Sequence, residues 1–155
     1  MNADRERKRE AARQAEREAK AKKEAEVAAA VRIKTSLALL SPLLKTMRAR
    51  WEKKFKKFPE YQCIAQNSPP TGPQKGVRWV RLSIAPAKGA RASQHFDLHA
   101  SADLENGTIQ VLGYSERYPT IVIESGLKPE ALDAEKTDEL LAKFAAWFTS
   151  LGRKE

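Results

Sequence analysis

Apolar residues are spaced in three ways along this chain, and each spacing predicts a different element. From residue 3 to residue 30 the chain is almost entirely Ala, Glu, Lys and Arg, with no Gly or Pro, and Val27 is the only sizeable apolar side chain. Such a composition favours helix, and Glu16–Lys20 and Glu18–Lys22 are favourable i,i+4 pairs. Nothing in it is large enough to form a core. Residues 1–32 are therefore expected to be an exposed charged helical arm, frayed or ordered only on a partner.

From Ile33 the spacing changes to steps of three and four. Leu37, Leu40, Leu44, Met47, Trp51, Phe55 and Phe58 fall on one helical face. Pro42, after Ser41, is expected to kink this helix or to start a new one. Pro59 should end it. A matching apolar face recurs near the C-terminus, in Leu140, Phe144, Trp147, Phe148 and Leu151. Asp133 or Thr137 is placed to cap that helix, and Gly152 to stop it.

Between the helices the period falls to two. Strands are predicted at 61–66, 77–85, 95–105, 108–114 and 120–125, separated by the Pro/Gly-rich loop 67–76 and the turn region "PAKGARA". The strongest turn signal is Asn106-Gly107, the favoured pair for a two-residue type I′ hairpin. A turn there pairs Leu104 with Ile109, Ala102 with Val111 and His99 with Tyr114. It also sorts the hairpin by face. Phe96, Leu98, Ala100, Ala102, Leu104, Ile109, Val111 and Gly113 share an apolar face. His95, Asp97, His99, Ser101, Gln110 and Tyr114 lie on a mostly polar one. The expected fold is α+β: a long N-terminal helix, an antiparallel sheet of about five strands, and a C-terminal helix on one sheet face. Residues 33–155 should form a single domain.

Both histidines of the chain lie within "QHFDLHAS". His95, Asp97 and His99 resemble a ligand set in composition, but strand geometry opposes it. The outer Cα atoms are about 13 Å apart on an extended strand, whereas a His places a metal roughly 6 Å from its own Cα. No metal and no other cofactor are expected. A contact surface is the alternative use of that face. If Val80, Leu82 and Ile84 point to the core, Trp79 and Arg81 join His95, His99 and Tyr114 on the open side, where they could stack on bases or hold a peptide. The opposite assignment buries Trp79.

Charge adds a second candidate. The formal charge is +9, and the first 60 residues carry the whole excess: 11 Lys/Arg against 7 Asp/Glu in 1–34, and 7 against 2 in 35–60. In "MRARWEKKFKKFPEY", Arg48, Arg50, Lys53, Lys54, Lys56 and Lys57 surround Trp51, Phe55 and Phe58. Such a helix could lie on a membrane or dock into a partner's groove. The preferred expectation is that the aromatics cover the chain's own sheet and the cations meet phosphates.

No Walker, G-x-S-x-G, H-E-x-x-H or G-x-G-x-x-G motif is present. One cysteine, Cys63, rules out an intrachain disulfide and reads as a small buried hydrophobe. The charged start is unlike a signal peptide, and no apolar run reads as membrane-spanning. Together these lead to the expectation of a cytoplasmic, non-enzymatic module that binds nucleic acid or a nucleoprotein complex, without a membrane, through its basic N-terminal helix, the arm together with residues 48–57. A protein–protein adaptor, chaperone or inhibitor, acting through the arm or the open sheet face, is the alternative.

Overall fold

A computed structural model describes residues 2–58, 61–69, 76–86 and 95–152. Its elements are α1 (Asn2–Phe55), β1 (Tyr61–Asn67), β2 (Trp79–Pro86), β3 (Phe96–Asp103), β4 (Thr108–Ser115), β5 (Ile121–Leu127) and α2 (Ala134–Gly152), with a short 3-10 turn at Pro129–Ala131 before α2. The five strands form one antiparallel meander in the order β1-β2-β3-β4-β5. Both helices pack on the same sheet face. The fold is α+β, as the change of period implies.

The three-and-four spacing of α1 becomes its buried face. Leu40, Leu44, Met47, Trp51 and Phe55 are buried against Val80, Leu82, Ile84, Leu98, Ala100, Ile109 and Val111 of the sheet and against Leu140 and Phe144 of α2, while Leu37 is buried beside Gly76. Each fully buried Leu of this kind contributes about 1.5–3 kcal/mol relative to exposure. The Trp51 indole N–H donates to the Thr137 carbonyl at 2.9 Å, so the largest core side chain has its polar atom satisfied. Small residues let α2 come close: a Cβ on Gly113 would lie 2.9 Å from Trp147 Cζ3. Asp133 caps α2, its carboxylate accepting from the Lys136 N–H at 2.7 Å while its carbonyl accepts from the Thr137 hydroxyl. Phe58 departs from the expected stripe. It lies beyond the helix end and is 48% exposed, with its ring against that of Phe55.

Pro42 neither ends α1 nor begins a new helix; the helix runs through it. Pro42 and Ala38 are both exposed. The Ala38 carbonyl, which loses its i+4 donor at the proline, is therefore on the watered side, where the loss is small. The buried side is reinforced instead: the Ser41 hydroxyl accepts the Val77 N–H at 2.8 Å and ties α1 to the entry of β2. Pro59, and most of "PAKGARA", lie outside the described residues.

The hairpin differs in detail from the expected one. The ladder pairs Asp103 with Thr108, Ala102 with Ile109 and Asp97 with Tyr114, two residues away from the type I′ register. A type I′ turn needs positive φ at both central residues. Here Gly107 alone adopts it (φ 65), and no described non-glycine residue does. The chain instead makes one helical turn over Leu104–Gly107, closed by Gly107 N–H to the Asp103 carbonyl at 2.8 Å. The Asp103 carboxylate accepts from both the backbone N–H and the side-chain amide of Asn106. A slip of two leaves every side chain on its expected face, so Leu98, Ala100, Ile109 and Val111 are buried as the alternation requires.

Upstream of Ser36 the helix leaves the domain. Residues 2–32 are exposed, apart from partial cover at Ala29. At 1.5 Å per residue this free portion is roughly 45 Å long. Alpha-1 also contains a stretch long and apolar enough, by length and composition, to cross a membrane. This corrects the expectation that no such run exists. From Val27 to Leu44 only Arg32 and Lys34 are charged, and interspersed Ala and Ser mask the run. Within it Ser36, Leu37, Leu40, Ser41 and Leu44 are buried in the domain.

Candidate functional site

The basic stretch 48–57 forms a staple between the helices. Arg50 grips Asp138 of α2 with both ends of its guanidinium, at 2.7 and 2.8 Å, and Lys54 reaches the same carboxylate at 2.8 Å. Hydrogen bonds from Arg50 and Lys54 hold the Asp138 carboxyl well below its usual range. One turn away Glu52 accepts from Lys56 at 2.9 Å and from Arg48 at 3.0 Å, and Lys56 above all pulls its carboxyl down. Four of the six expected phosphate contacts, Arg48, Arg50, Lys54 and Lys56, are thus engaged within the chain. Lys53 and Lys57 are exposed and have no ion pair among the described residues.

The arm has the opposite character. Among the described residues, no arm side chain forms an ion pair. Arg5, Arg9, Arg13 and Arg17 recur every four residues on the continuous helix. They form a slowly winding ridge with a rise of about 6 Å per step, and Lys20 extends it. Like charges at i,i+4 weaken a helix slightly, so this ridge does not serve helix stability. Glu6, Glu10 and Glu16 lie within three residues of Arg9 or Arg13 on the same side of the helix, and Asp4 and Glu18 lie on other edges. The four-residue spacing of these arginines is legible in the sequence. Beyond the ridge, Val27 and Val31 are 56% and 59% exposed.

The open sheet face resolves the position of Trp79. It lies on the uncovered side, half-buried, opposite Ser101, while its neighbour Val80 is in the core. Its ring stacks against His99 at 5.4 Å, and the Arg81 guanidinium lies over it at 5.5 Å. Arg81 also donates to Gln66 of β1. Burial, then the Arg81 charge, lowers the His99 pKa, while Asp97 opposes both. Farther along, His95, Asp97, Tyr114 and Glu116 line a shallow depression of about 320 Å³ with Arg81 and Ser83. Trp79, Arg81, His95, His99 and Tyr114 do share one face, but Trp79, Arg81 and His99 contact one another while His95 and Tyr114 flank the depression. Asp97, Asp103 and Glu116 on the same side make this face a poor match for a polyanion. Ile64, Tyr114 and Val122 are its exposed apolar members.

No three His, Cys, Asp or Glu converge on a possible metal position among the described residues. Cys63 is half-buried rather than fully enclosed; burial pushes its thiol up to about 11, so it is a protonated thiol at neutral pH. No family model, curated protein or solved structure matches this chain.

Proposed function

We propose that this protein is a non-enzymatic module that engages nucleic acid, or a nucleoprotein complex, through the basic face of its N-terminal helix. The observation that supports this reading is the Arg5–Arg9–Arg13–Arg17 ridge, which forms no ion pair among the described residues and lies on the exposed N-terminal portion of α1. A cation already held by a carboxylate must give up that partner to meet a phosphate; an unpaired one releases only its hydration and gains the entropy of released counterions. Of the expected surface, the arm together with residues 48–57, the arm therefore carries the contact, with Lys53 and Lys57 as its continuation near the domain. Such contacts supply attraction and position without sequence readout.

Fluorescence anisotropy of labelled duplex DNA and of single-stranded RNA, over a salt series, tests the reading. Binding should weaken steeply with salt, by about 0.9 in the log–log slope for each phosphate neutralised on a duplex. Replacing Arg5, Arg9, Arg13 and Arg17 together by Glu should abolish it. Absence of binding at low salt, or binding that ignores these four changes, would remove the proposal.

A second reading, a protein adaptor, draws on the open sheet face, where Ile64, Tyr114 and Val122 are exposed beside the Trp79–His99 stack. It predicts a protein partner whose binding survives deletion of residues 2–30.

A further inference from the structure

The two outer strands of the sheet are treated differently. Beta-5 carries the usual protections of an edge. Its pairing with β4 has register shifts on either side of Val111, Gly126 takes a positive φ, and Glu124 is ion-paired to Lys136 and Lys143. Beta-1 has none of these. "YQCIAQN" contains no charge, no Pro and no Gly, and it pairs with β2 in unbroken register.

The hydrogen-bond parity of β1 follows from one contact. Ser68 N–H donates to the Trp79 carbonyl at 2.9 Å. In an antiparallel ladder bonded and non-bonded pairs alternate. Gln66, Ile64 and Gln62 therefore direct their backbone groups at β2, while Cys63, Ala65 and Asn67 direct theirs away from the sheet. Tyr61 N–H, of the same parity, already donates to the Phe58 carbonyl. Among the described residues, no hydrogen-bond partner meets the backbone groups of Cys63, Ala65 and Asn67.

We propose that β1 pairs antiparallel with β1 of a second copy, about a two-fold axis at Ile64, joining the two sheets into one of ten strands. In this register Cys63 faces Ala65 of the second copy and Ala65 faces its Cys63, both as doubly hydrogen-bonded pairs. Gln62 faces Gln66. Ile64, 56% exposed in the single chain, meets its own counterpart on the open face. The strand is self-complementary because it is uncharged: a two-fold axis sets each side chain near its own copy, where any charge would repel itself. A second copy is favoured over a foreign strand for that reason. The inference is independent of the nucleic-acid reading. If both hold, the assembly presents two arms, and the second contact becomes intramolecular.

Sedimentation equilibrium on the full chain should give twice the monomer mass of 17.4 kDa at micromolar concentration. Ala65→Pro removes one outward N–H and leaves the β1–β2 ladder intact; it should yield a monomer with an unchanged circular dichroism spectrum. Ile64→Lys should do the same by placing two ammonium groups opposite each other. A positive test uses Ile64→Cys in a Cys63→Ala background. Residue 64 would form a non-hydrogen-bonded pair with itself, at a Cα separation of about 4.5 Å, within disulfide range, so mild oxidation should cross-link most chains. Gln62→Cys in the same background should not cross-link, because its opposite is Gln66. A monomer at these concentrations overturns the proposal. So does a dimer that survives both edge variants and fails to cross-link at 64, which would place the contact elsewhere.

Discussion

Arg13 and Arg50 lie on the same helix, 37 positions apart, and differ in everything but residue type. Arg50 is clasped by Asp138, which also holds Lys54. Arg13, three residues from both Glu10 and Glu16, forms no ion pair among the described residues. What separates them is whether a second element is near enough to present an anion. Where α2 crosses α1, basic residues become joints of the fold. Where α1 runs alone, the same residues remain available to an outside partner. A count of lysines and arginines along α1 treats both ends alike, although the end with the larger net positive charge is the less available one.

The contrast gives four predictions, taken from the largest effect to the smallest. Trp51→Ala, in the docked half, should cost about 3–5 kcal/mol of unfolding free energy, as truncation of a buried aromatic does. Deleting residues 2–30 should leave the unfolding free energy from urea titration unchanged to within about 0.5 kcal/mol, because no packed contact is lost. A deletion that destabilised the domain would show that the arm is not independent of it. Second, Asp138→Asn should lower the melting temperature by roughly 2–4 °C, the shift expected of a modest loss in a chain of this size. It should at the same time strengthen nucleic-acid binding at low salt, because Arg50 and Lys54 are released; weaker binding would mean that the staple positions the interface.

The third prediction concerns acid. The folded Asp138 carboxyl titrates below its ordinary value of 3.8. Its contribution is therefore complete above that value and is lost as pH falls through it toward the lower folded one. Wild type and Asp138→Asn should differ most near neutrality and converge below about pH 4; curves that stay parallel into acid would deny the staple. The smallest effect belongs to the other face. The His99 pKa is lowered from 6.5, so the fold favours the neutral ring, and its contribution, full above 6.5, is lost as pH falls below it. His99→Gln should flatten the stability profile between about pH 7 and 5 without altering nucleic-acid affinity.

Much of this architecture is legible in the residues. The stripe from Leu37 to Phe55 and the alternation from Phe96 to Gly113 place α1 and the hairpin on a common core. Side-chain direction repeats every two residues, so the faces survive a turn that was misplaced by two. Turn geometry itself was less legible, because Asn-Gly suits more than one turn, and the Asp103 carboxylate holding Asn106 is what selects the helical one. Pro42 does not start a new helix for a related reason: its cost depends on which side of the helix faces water. The candidate site is legible only where its setting is local. The arm can be read because it touches nothing. The staple cannot, because Asp138 is 88 positions from Arg50 and is joined to it only by the fold.

The continuity of α1 has a mechanical consequence. The helix that carries Arg5 is the helix that carries Trp51, with no glycine, loop or break between them. Anything bound near its tip therefore sits at a set bearing from the sheet, and load applied there acts through a lever roughly 45 Å long. The fulcrum lies where α1 meets the domain, at Leu37 against Gly76, where a Cβ would come 2.8 Å from Leu37 Cγ, and at the Ser41–Val77 hydrogen bond. Torque from the arm is delivered to those contacts first.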